Sequence, residues 1–153
     1  IHDKNIITIN KINNKYRFLL ILIHELAHLN VVKRNIKTTP HGEIWKNEFK
    51  RLLKPVMDRM IFPKNLQILI ESHMKNPKSS FSYDSKLEKE IDKYDGDFGS
   101  YTYIEDIDDG LFFRYKNGKS YKKIKKRRKR YLCIESVSGR EYLFLPHAKV
   151  NLI

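Results

Sequence analysis

The chain has 153 residues, with 31 lysines and arginines against 18 aspartates and glutamates, which gives a formal net charge of +13. This length allows one domain, or one domain with a small appendage, and the basic balance favours polyanionic partners such as nucleic acid. The single cysteine, Cys133, excludes an intrachain disulfide and a cysteine-rich zinc ribbon, so we expect a reducing compartment, the cytoplasm. No apolar stretch reaches membrane-spanning length, and we therefore expect no membrane partner.

The first elements in chain order are a strand and a helix. Residues 6 to 10 are mostly β-branched and precede the turn-forming pair Asn13-Asn14, which predicts a short N-terminal strand. From Tyr16 to Val32 the apolar residues recur at helical spacing, and this periodicity predicts a helix with one largely buried side. The recurring residues are Leu19, Leu22, Ile23, Leu26 and Leu29.

The predicted helix carries the motif His24-Glu25-x-x-His28. Because a helix has 3.6 residues per turn, His24 and His28 lie one above the other on one face, where two imidazoles can bind one zinc ion. Glu25 projects beside such an ion and can accept a proton from water as it attacks a polarised carbonyl. The alternative is a buried helix that carries these three residues by chance, since the motif fixes only three positions.

A second helix is expected after the segment Thr39-Pro40-His41-Gly42, where Thr38 or Thr39 can cap it and Pro40 suits its first turn. Its apolar stripe is interpreted as core, and consists of Trp45, Phe49, Leu52, Leu53 and Val56. A catalytic zinc ion normally has three protein ligands, and His41 at the entry to this helix can fold back toward the motif. A glutamate of the same helix, Glu43 or Glu48, remains the competing third ligand.

A third helix is predicted to open at Pro63 and to end near Asn76-Pro77, with His73 on its apolar side as a structural residue. Residues 86 to 94 are expected to form a short charged helix. The glycine-containing stretch from residue 95 to residue 100 then breaks the helical pattern. We place the boundary there, between a unit of residues 1 to 95 and a basic antiparallel β subdomain of residues 96 to 153.

The C-terminal third is predicted to be an antiparallel β-meander. The predicted strands cover residues 111–115, 119–126, 130–137 and 140–145. Turns are expected at Asn117-Gly118 and Ser138-Gly139, and an Asn-Gly pair favours a type I′ hairpin turn.

Within this meander, residues 119 to 130 include nine basic residues in twelve. Such a run is often only a solvated surface, but basic side chains at strand spacing can also track phosphates. We assign this role to Lys123, Lys125, Arg127 and Arg128. Tyr121 and Tyr131 flank the run and could stack on unpaired bases, so single-stranded DNA is the expected partner rather than duplex.

The chain resembles the SprT-like metalloproteases, the family that includes the Spartan proteases. The matching residues are those from Leu22 to Leu29 and then His41-Gly42, followed by Trp45, Phe49 and Leu53. The resemblance implies an α+β fold with a zincin-like helical core, one Zn²⁺ per chain on His24, His28 and His41, and Glu25 as general base. The resemblance also implies that an N-terminal portion is missing. The chain differs from many members of the family because it lacks the paired cysteines of a C-terminal zinc ribbon.

The expected function is zinc-dependent hydrolysis of peptide bonds by a metalloendopeptidase acting on a protein or peptide substrate. The resemblance further implies that DNA-associated or DNA-crosslinked proteins are substrates. One alternative is a nucleic-acid-binding module that keeps a structural or vestigial zinc site, and another is a non-proteolytic zinc hydrolase. Glu25 distinguishes the peptidase from the first alternative. A hydrolytic zinc site requires a carboxylate beside the metal, whereas a structural zinc site does not.

Overall fold

A computed structural model describes residues 6–34 and 39–153 and has an α+β fold, as the sequence predicts. The chain divides into two compact units, Ile1–Gly96 and Asp97–Ile153. All the helices of the described chain with α geometry lie in the first unit, and all its strands lie in the second.

The first unit contains four helices in the described residues: α1 (Lys15–Lys33), α2 (Glu43–Asp58), α3 (Lys64–Lys75) and α4 (Ser85–Asp92). A single 3₁₀ turn, Phe81–Tyr83, precedes α4. The four predicted helices are therefore confirmed, with ends that differ by a few residues. None of these described helices combines the length and the apolar character needed to cross a bilayer.

Polar contacts fix the start of α1 against α4. The side-chain oxygen of Asn14 caps α1 by accepting hydrogen bonds from two N–H groups of its first turn, each at 3.1 Å. Its amide nitrogen donates to the carbonyl oxygen of Ile91 in α4, at 2.9 Å. Arg17 then pairs with Glu88 at 2.5 Å and with Asp92 at 2.7 Å, and both carboxylates are nearly buried. These contacts hold the N-terminal end of α1 in place.

The core of the first unit is apolar and draws on all four helices. Its members recur at helical spacing on α1 and α2, which gives each of these helices one buried side. The fully or nearly fully buried side chains on the four helices are Leu20, Ile23, Ala27, Val31, Trp45, Phe49, Leu53, Met57, Leu66, Ile70, Leu87 and Ile91.

The prediction of an N-terminal strand at residues 6 to 10 is wrong. The described residues 6 to 14 have no regular secondary structure, and the side chain of Ile6 is 70% exposed. A strand requires a hydrogen-bonded neighbour, and the strands of the described chain all belong to residues 102 to 152 of the second unit. The β-branched composition is therefore not sufficient here.

The second unit is a six-stranded antiparallel sheet. Its strands are β1 (Thr102–Tyr103), β2 (Phe112–Arg114), β3 (Ser120–Arg127), β4 (Arg130–Glu135), β5 (Glu141–Phe144) and β6 (Lys149–Leu152). Their order in the sheet is β1-β6-β2-β3-β4-β5. Strands β2 to β5 form the predicted meander, whereas β1 and β6 were not predicted, and β6 returns to pair with β2.

The turn at Asn117-Gly118 joins β2 to β3 as expected, but it is not of type I′. Only Gly118 has a positive φ, at 78°, whereas type I′ requires positive φ at both central residues. The N–H of Tyr115 donates to the carbonyl of Lys119 at 3.0 Å, and the N–H of Gly118 donates to that of Tyr115 at 2.9 Å. This pattern is the three-residue hairpin loop that ends with a left-handed glycine.

Candidate metal centre

The motif histidines lie one helical turn apart on α1. The Nε2 atoms of His24 and His28 are 3.2 Å apart, and their ring centroids are separated by 4.9 Å. Ile23 and Ala27, the residues that precede them, are buried in the core. Because residues four apart share a helix face, burying this neighbouring pair turns both histidines to the edge of the packed surface, where they are half-buried.

His41 reaches the same point from the turn before α2. The N–H of Gly42 donates to the carbonyl of Thr39 at 3.0 Å, which closes a four-residue turn around Pro40 and His41. His41 has φ of +59°, so proline followed by a left-handed residue gives the pattern of a type II turn. A non-glycine residue in this conformation costs about 1–3 kcal/mol. The strained turn directs the His41 Nε2 atom to 2.9 Å from that of His28 and 3.3 Å from that of His24.

This turn differs from the sequence prediction in its cap. The N-cap residue of α2 is Gly42, which supplies no side-chain hydrogen bond, and the helix begins at Glu43. Thr39 takes part through its backbone carbonyl, and Thr38 lies outside the described residues. Pro40 therefore lies in the turn that contains His41 and not in the first turn of helix α2.

Trp45 lies against all three histidines. Its ring is 4.7 Å from that of His24, 5.3 Å from that of His28 and 4.7 Å from that of His41, measured between centroids. It is 1% exposed and stacks on Phe49 at 5.2 Å. The sequence indicated only a core role for Trp45. Trp45 follows His41 by four residues, and this spacing indicates that its ring can also contact the histidines.

The three Nε2 atoms fit the ligand positions of a tetrahedral zinc ion. Zinc–nitrogen bonds of about 2.0–2.1 Å at tetrahedral angles separate neighbouring nitrogens by roughly 3.3 Å. The observed separations of 2.9, 3.2 and 3.3 Å are close to this value. A single ring nitrogen is either a donor or an acceptor, so three convergent nitrogens cannot all satisfy one another. A cation among them could accept all three lone pairs.

Burial favours the neutral, metal-binding form of the imidazoles. It lowers the pKa of His24 to about 4, with further lowering by His28 and His41. Burial is also the main cause that lowers the pKa of His28, and the nearby carboxylate of Glu25 opposes this in part. At neutral pH both motif histidines therefore offer an unprotonated nitrogen without loss of a proton to solvent.

The carboxylates near the motif have different surroundings. Glu25 follows His24 by about 100° around α1, is half-buried and acts electrostatically on His28. Glu43 is exposed. Glu48 is buried and accepts hydrogen bonds from Asn30, at 2.7 Å, and from Arg51, at 2.7 and 3.0 Å. In the described chain, the one group of side chains that could hold a metal ion is His24, His28 and His41, so neither helix α2 glutamate is a candidate ligand.

His73 lies outside this group, as the sequence indicated. Its Nδ1 atom is 3.0 Å from the Oδ2 atom of Asp84, and the side chain is almost completely buried. The ring of Phe81 lies 5.2 Å from His73 and 6.2 Å from His24. The Asp84 carboxylate also caps α4 by accepting from the N–H of Leu87. These contacts assign His73 a structural role between α3 and the start of α4.

Three of the six residues assigned to nucleic acid cannot contact it. Tyr121, Lys123 and Tyr131 are only 2%, 4% and 7% exposed in the core of the second unit. The Lys123 ammonium donates to the carbonyl of Ile107 at 2.5 Å and lies 4.3 Å from the centre of the Tyr131 ring. Tyr121 and Lys123 share the inward face of β3 because alternate strand residues face the same side. The prediction of base stacking and phosphate contact by these three residues is therefore wrong.

The remaining basic residues do lie on the surface. Lys125, Arg127 and Arg128 are exposed, and so are the three other members of a continuous basic stretch at the β3–β4 turn. We call residues 125–130 the basic hairpin. Arg128 has φ of +54° in its two-residue turn, and Arg127 pairs with Arg130 across the strands.

No protein-family model, curated protein or solved structure matches this chain. Its function is therefore inferred from the site's own residues. These are three convergent imidazoles, a neighbouring carboxylate and an indole packed against the imidazoles.

Proposed function

We propose that the chain is a zinc metalloendopeptidase with one Zn²⁺ on His24, His28 and His41 and with Glu25 as the general base. The observation that carries this proposal is the convergence of three Nε2 atoms at separations suited to zinc, beside a carboxylate that is not one of the ligands. A purely structural site gains nothing from that carboxylate, whereas peptide hydrolysis requires a base at this position.

The residues divide the chemistry between them. Zinc, when bound, supplies the Lewis acidity that polarises a peptide carbonyl and acidifies a water molecule. Three neutral imidazoles hold the ion without reducing its charge, and Glu25 accepts the proton of the attacking water and returns it to the leaving amine. Trp45 holds the ligand rings in place and keeps water away from one side of the centre.

The resemblance to SprT-like metalloproteases supports this proposal through the motif and through His41-Gly42 followed by Trp45. From the same resemblance we propose proteins attached to DNA as substrates. From the single cysteine we propose a reducing compartment, the cytoplasm. The basic hairpin supplies exposed positive charge that suits a polyanion such as DNA.

Two measurements on the same variants test the proposal. Wild type should contain about one zinc per chain, and Glu25→Gln should retain it while peptide hydrolysis falls by about 10²–10⁴-fold through loss of the base. The matched control is Glu43→Gln, which removes an exposed carboxylate of α2 and should leave both quantities unchanged. His24→Ala should lose both zinc and hydrolysis. The measurements are metal content by mass spectrometry and cleavage of a fluorogenic peptide library.

Two outcomes oppose the proposal. Undiminished hydrolysis in Glu25→Gln would show that this residue is not the base. A wild type that holds zinc, cleaves no peptide and binds nucleic acid would favour the alternative, a nucleic-acid-binding module with a structural zinc site.

A further inference from the structure

A cleft of about 460 Å³ opens beside the candidate metal centre. One side consists of Pro40 and His41 from the turn before α2, with Lys46 from that helix. The other side comes from the segment that joins α3 to α4 and includes Asn76, Lys78 and Tyr83. Because His41 both lines the cleft and belongs to the metal-binding group, a molecule in the cleft would lie next to the metal centre.

The cleft carries two positive charges and no carboxylate among its lining residues. The Lys46 ammonium donates to the side-chain oxygen of Asn76 at 2.9 Å, and the Lys78 ammonium donates to the backbone carbonyl of Tyr83 at 2.6 Å. Both acceptors are neutral, so these bonds orient the ammonium groups without cancelling their charge. In the part of the chain that the structure describes, neither group forms an ion pair with an acidic side chain.

We propose that this cleft is a specificity subsite that accepts an aspartate or glutamate side chain of the peptide substrate, close to the bond that is cleaved. The inference rests on the proposed peptidase function. Each ammonium has three donors and uses one on its neutral partner, which leaves donors for a substrate carboxylate. Hydrogen bonds with an ionised donor or acceptor are roughly twice as strong as neutral ones. The two ammonium groups also attract a carboxylate by charge and repel a lysine side chain in the same place.

The test compares peptides that differ at a single position. Fluorogenic peptides carry glutamate, glutamine or lysine at one position on either side of a common cleavage site. For wild type we expect kcat/KM to be roughly tenfold higher for the glutamate peptide than for the lysine peptide, at one position at least. In the Lys46→Gln/Lys78→Gln double variant this ratio should fall to about one, because only the charges are removed. Zinc content and circular dichroism confirm that the variant is folded.

A matched control removes the same charge elsewhere. The double variant Lys64→Gln/Lys86→Gln replaces two exposed lysines of α3 and α4 that do not line the cleft, and it should keep the wild-type ratio. A wild type that cleaves glutamate and lysine peptides equally well would overturn the subsite. The same conclusion follows if the charge preference survives in Lys46→Gln/Lys78→Gln.

A binding measurement separates failure of the subsite from failure of the proposed function. Zinc-loaded wild type, Glu25→Gln and Lys46→Gln/Lys78→Gln are titrated with the labelled peptides, and fluorescence anisotropy is recorded. If no peptide is cleaved, the proposed function is wrong, yet tighter binding of the glutamate peptide that disappears in the Lys46→Gln/Lys78→Gln variant still supports the cleft. Equal binding of glutamate and lysine peptides overturns it.

Discussion

His41 occupies a backbone conformation that its side chain disfavours. The left-handed position of a type II turn is normally filled by glycine or asparagine, and glycine follows directly at position 42. The strained conformation of His41 therefore lowers the stability of the folded chain. The same conformation places the His41 Nε2 atom within hydrogen-bonding distance of both motif histidines. Strain of this kind is typical of functional sites.

Replacing His41 by glycine should separate stability from metal binding. In the presence of a chelator, the free energy of unfolding of His41→Gly should rise by about 1 kcal/mol, because glycine adopts positive φ without strain. Its zinc content should fall well below that of wild type. Urea denaturation and metal analysis measure the two effects.

The matched control for this prediction is His28→Ala, which also removes one imidazole but lies within helix α1, where no strain is relieved. A metal-free His41→Gly protein that is less stable than metal-free His28→Ala would contradict the idea of a strained turn.

The sequence indicated the three histidines of the candidate metal centre more readily than the residues that pack against them. The spacing of His24 and His28 follows from helix geometry, whereas the sequence left Glu43 and Glu48 open as alternatives to His41. The contact of Trp45 with all three rings depends on how α1 and α2 pack, which the spacing of apolar residues does not specify. Lys123 was misjudged because a lysine can be buried when a backbone carbonyl and an aromatic ring receive its ammonium group.

At the scale of secondary-structure elements, the side chain of Glu48 links helix α2 to helix α1 through hydrogen bonds. Its buried carboxylate accepts from Asn30 of α1 and from Arg51 of α2, and Arg34, the residue after α1, lies 3.3 Å away. The hydrogen bond from Arg51 is the main cause that lowers the pKa of Glu48 to about 2, with Asn30 adding to it and burial opposing it. The ionised form is therefore the one that stabilises the helix pair.

The contribution of Glu48 should depend on pH. Relative to Glu48→Gln, wild type should be more stable by about 1–3 kcal/mol at neutral pH, the value of a charge-assisted hydrogen bond. Since the folded-state pKa lies below the usual value of 4.5, this advantage is present above about pH 4.5 and is lost as the pH falls toward 2. Chemical denaturation of both proteins across this range measures it. A constant difference between them at every pH would contradict the assignment, and an unchanged zinc content in Glu48→Gln is expected because Glu48 is not a ligand.

The elements themselves differ in how predictable they were. Helices α1 to α3 have apolar residues at helical spacing and a proline or asparagine near at least one end, so their bounds follow closely from sequence. The shorter, charged α4 buries only two apolar side chains, Leu87 and Ile91. Strands β1 and β6 have only two and four residues, too few to show alternation, and they form because each pairs with a distant partner. The β-branched segment at residues 6 to 10 has the composition of a strand but pairs with no strand among the described residues.

Positive charge is not spread evenly over the whole molecule. Six consecutive basic residues form the basic hairpin at the exposed turn between β3 and β4. The two tyrosines near this stretch, Tyr121 and Tyr131, are buried. Tyr121 stacks on Phe113, and the Lys123 ammonium lies over the Tyr131 ring. The hairpin can therefore attract phosphates through charge, but it offers no tyrosine face to a base.

The last prediction concerns this hairpin and DNA. The protein should bind DNA at low salt, and the logarithm of the affinity should fall linearly with the logarithm of the salt concentration. The triple variant Lys125→Gln/Arg127→Gln/Arg128→Gln should reduce that slope by about two to three, because each neutralised phosphate contributes about 0.9 for duplex DNA. Because Tyr121 and Tyr131 are buried, stacking on them should give no preference for single strands, in contrast to the expectation from sequence. Fluorescence titrations of duplex and single-stranded oligonucleotides at several salt concentrations measure both quantities.

The control for the hairpin removes an equal charge from the helical unit. The triple variant Lys54→Gln/Lys64→Gln/Lys86→Gln changes three exposed lysines of α2, α3 and α4 and should keep the wild-type slope. An equal loss of slope in both triple variants would attribute binding to the net charge of +13 and not to the hairpin. Zinc content should be the same in wild type and in both triple variants, because none of the substituted residues belongs to the group His24, His28 and His41. Absence of binding at low salt would leave the basic hairpin as a solvated turn, and the proposed peptidase activity would then not involve nucleic acid.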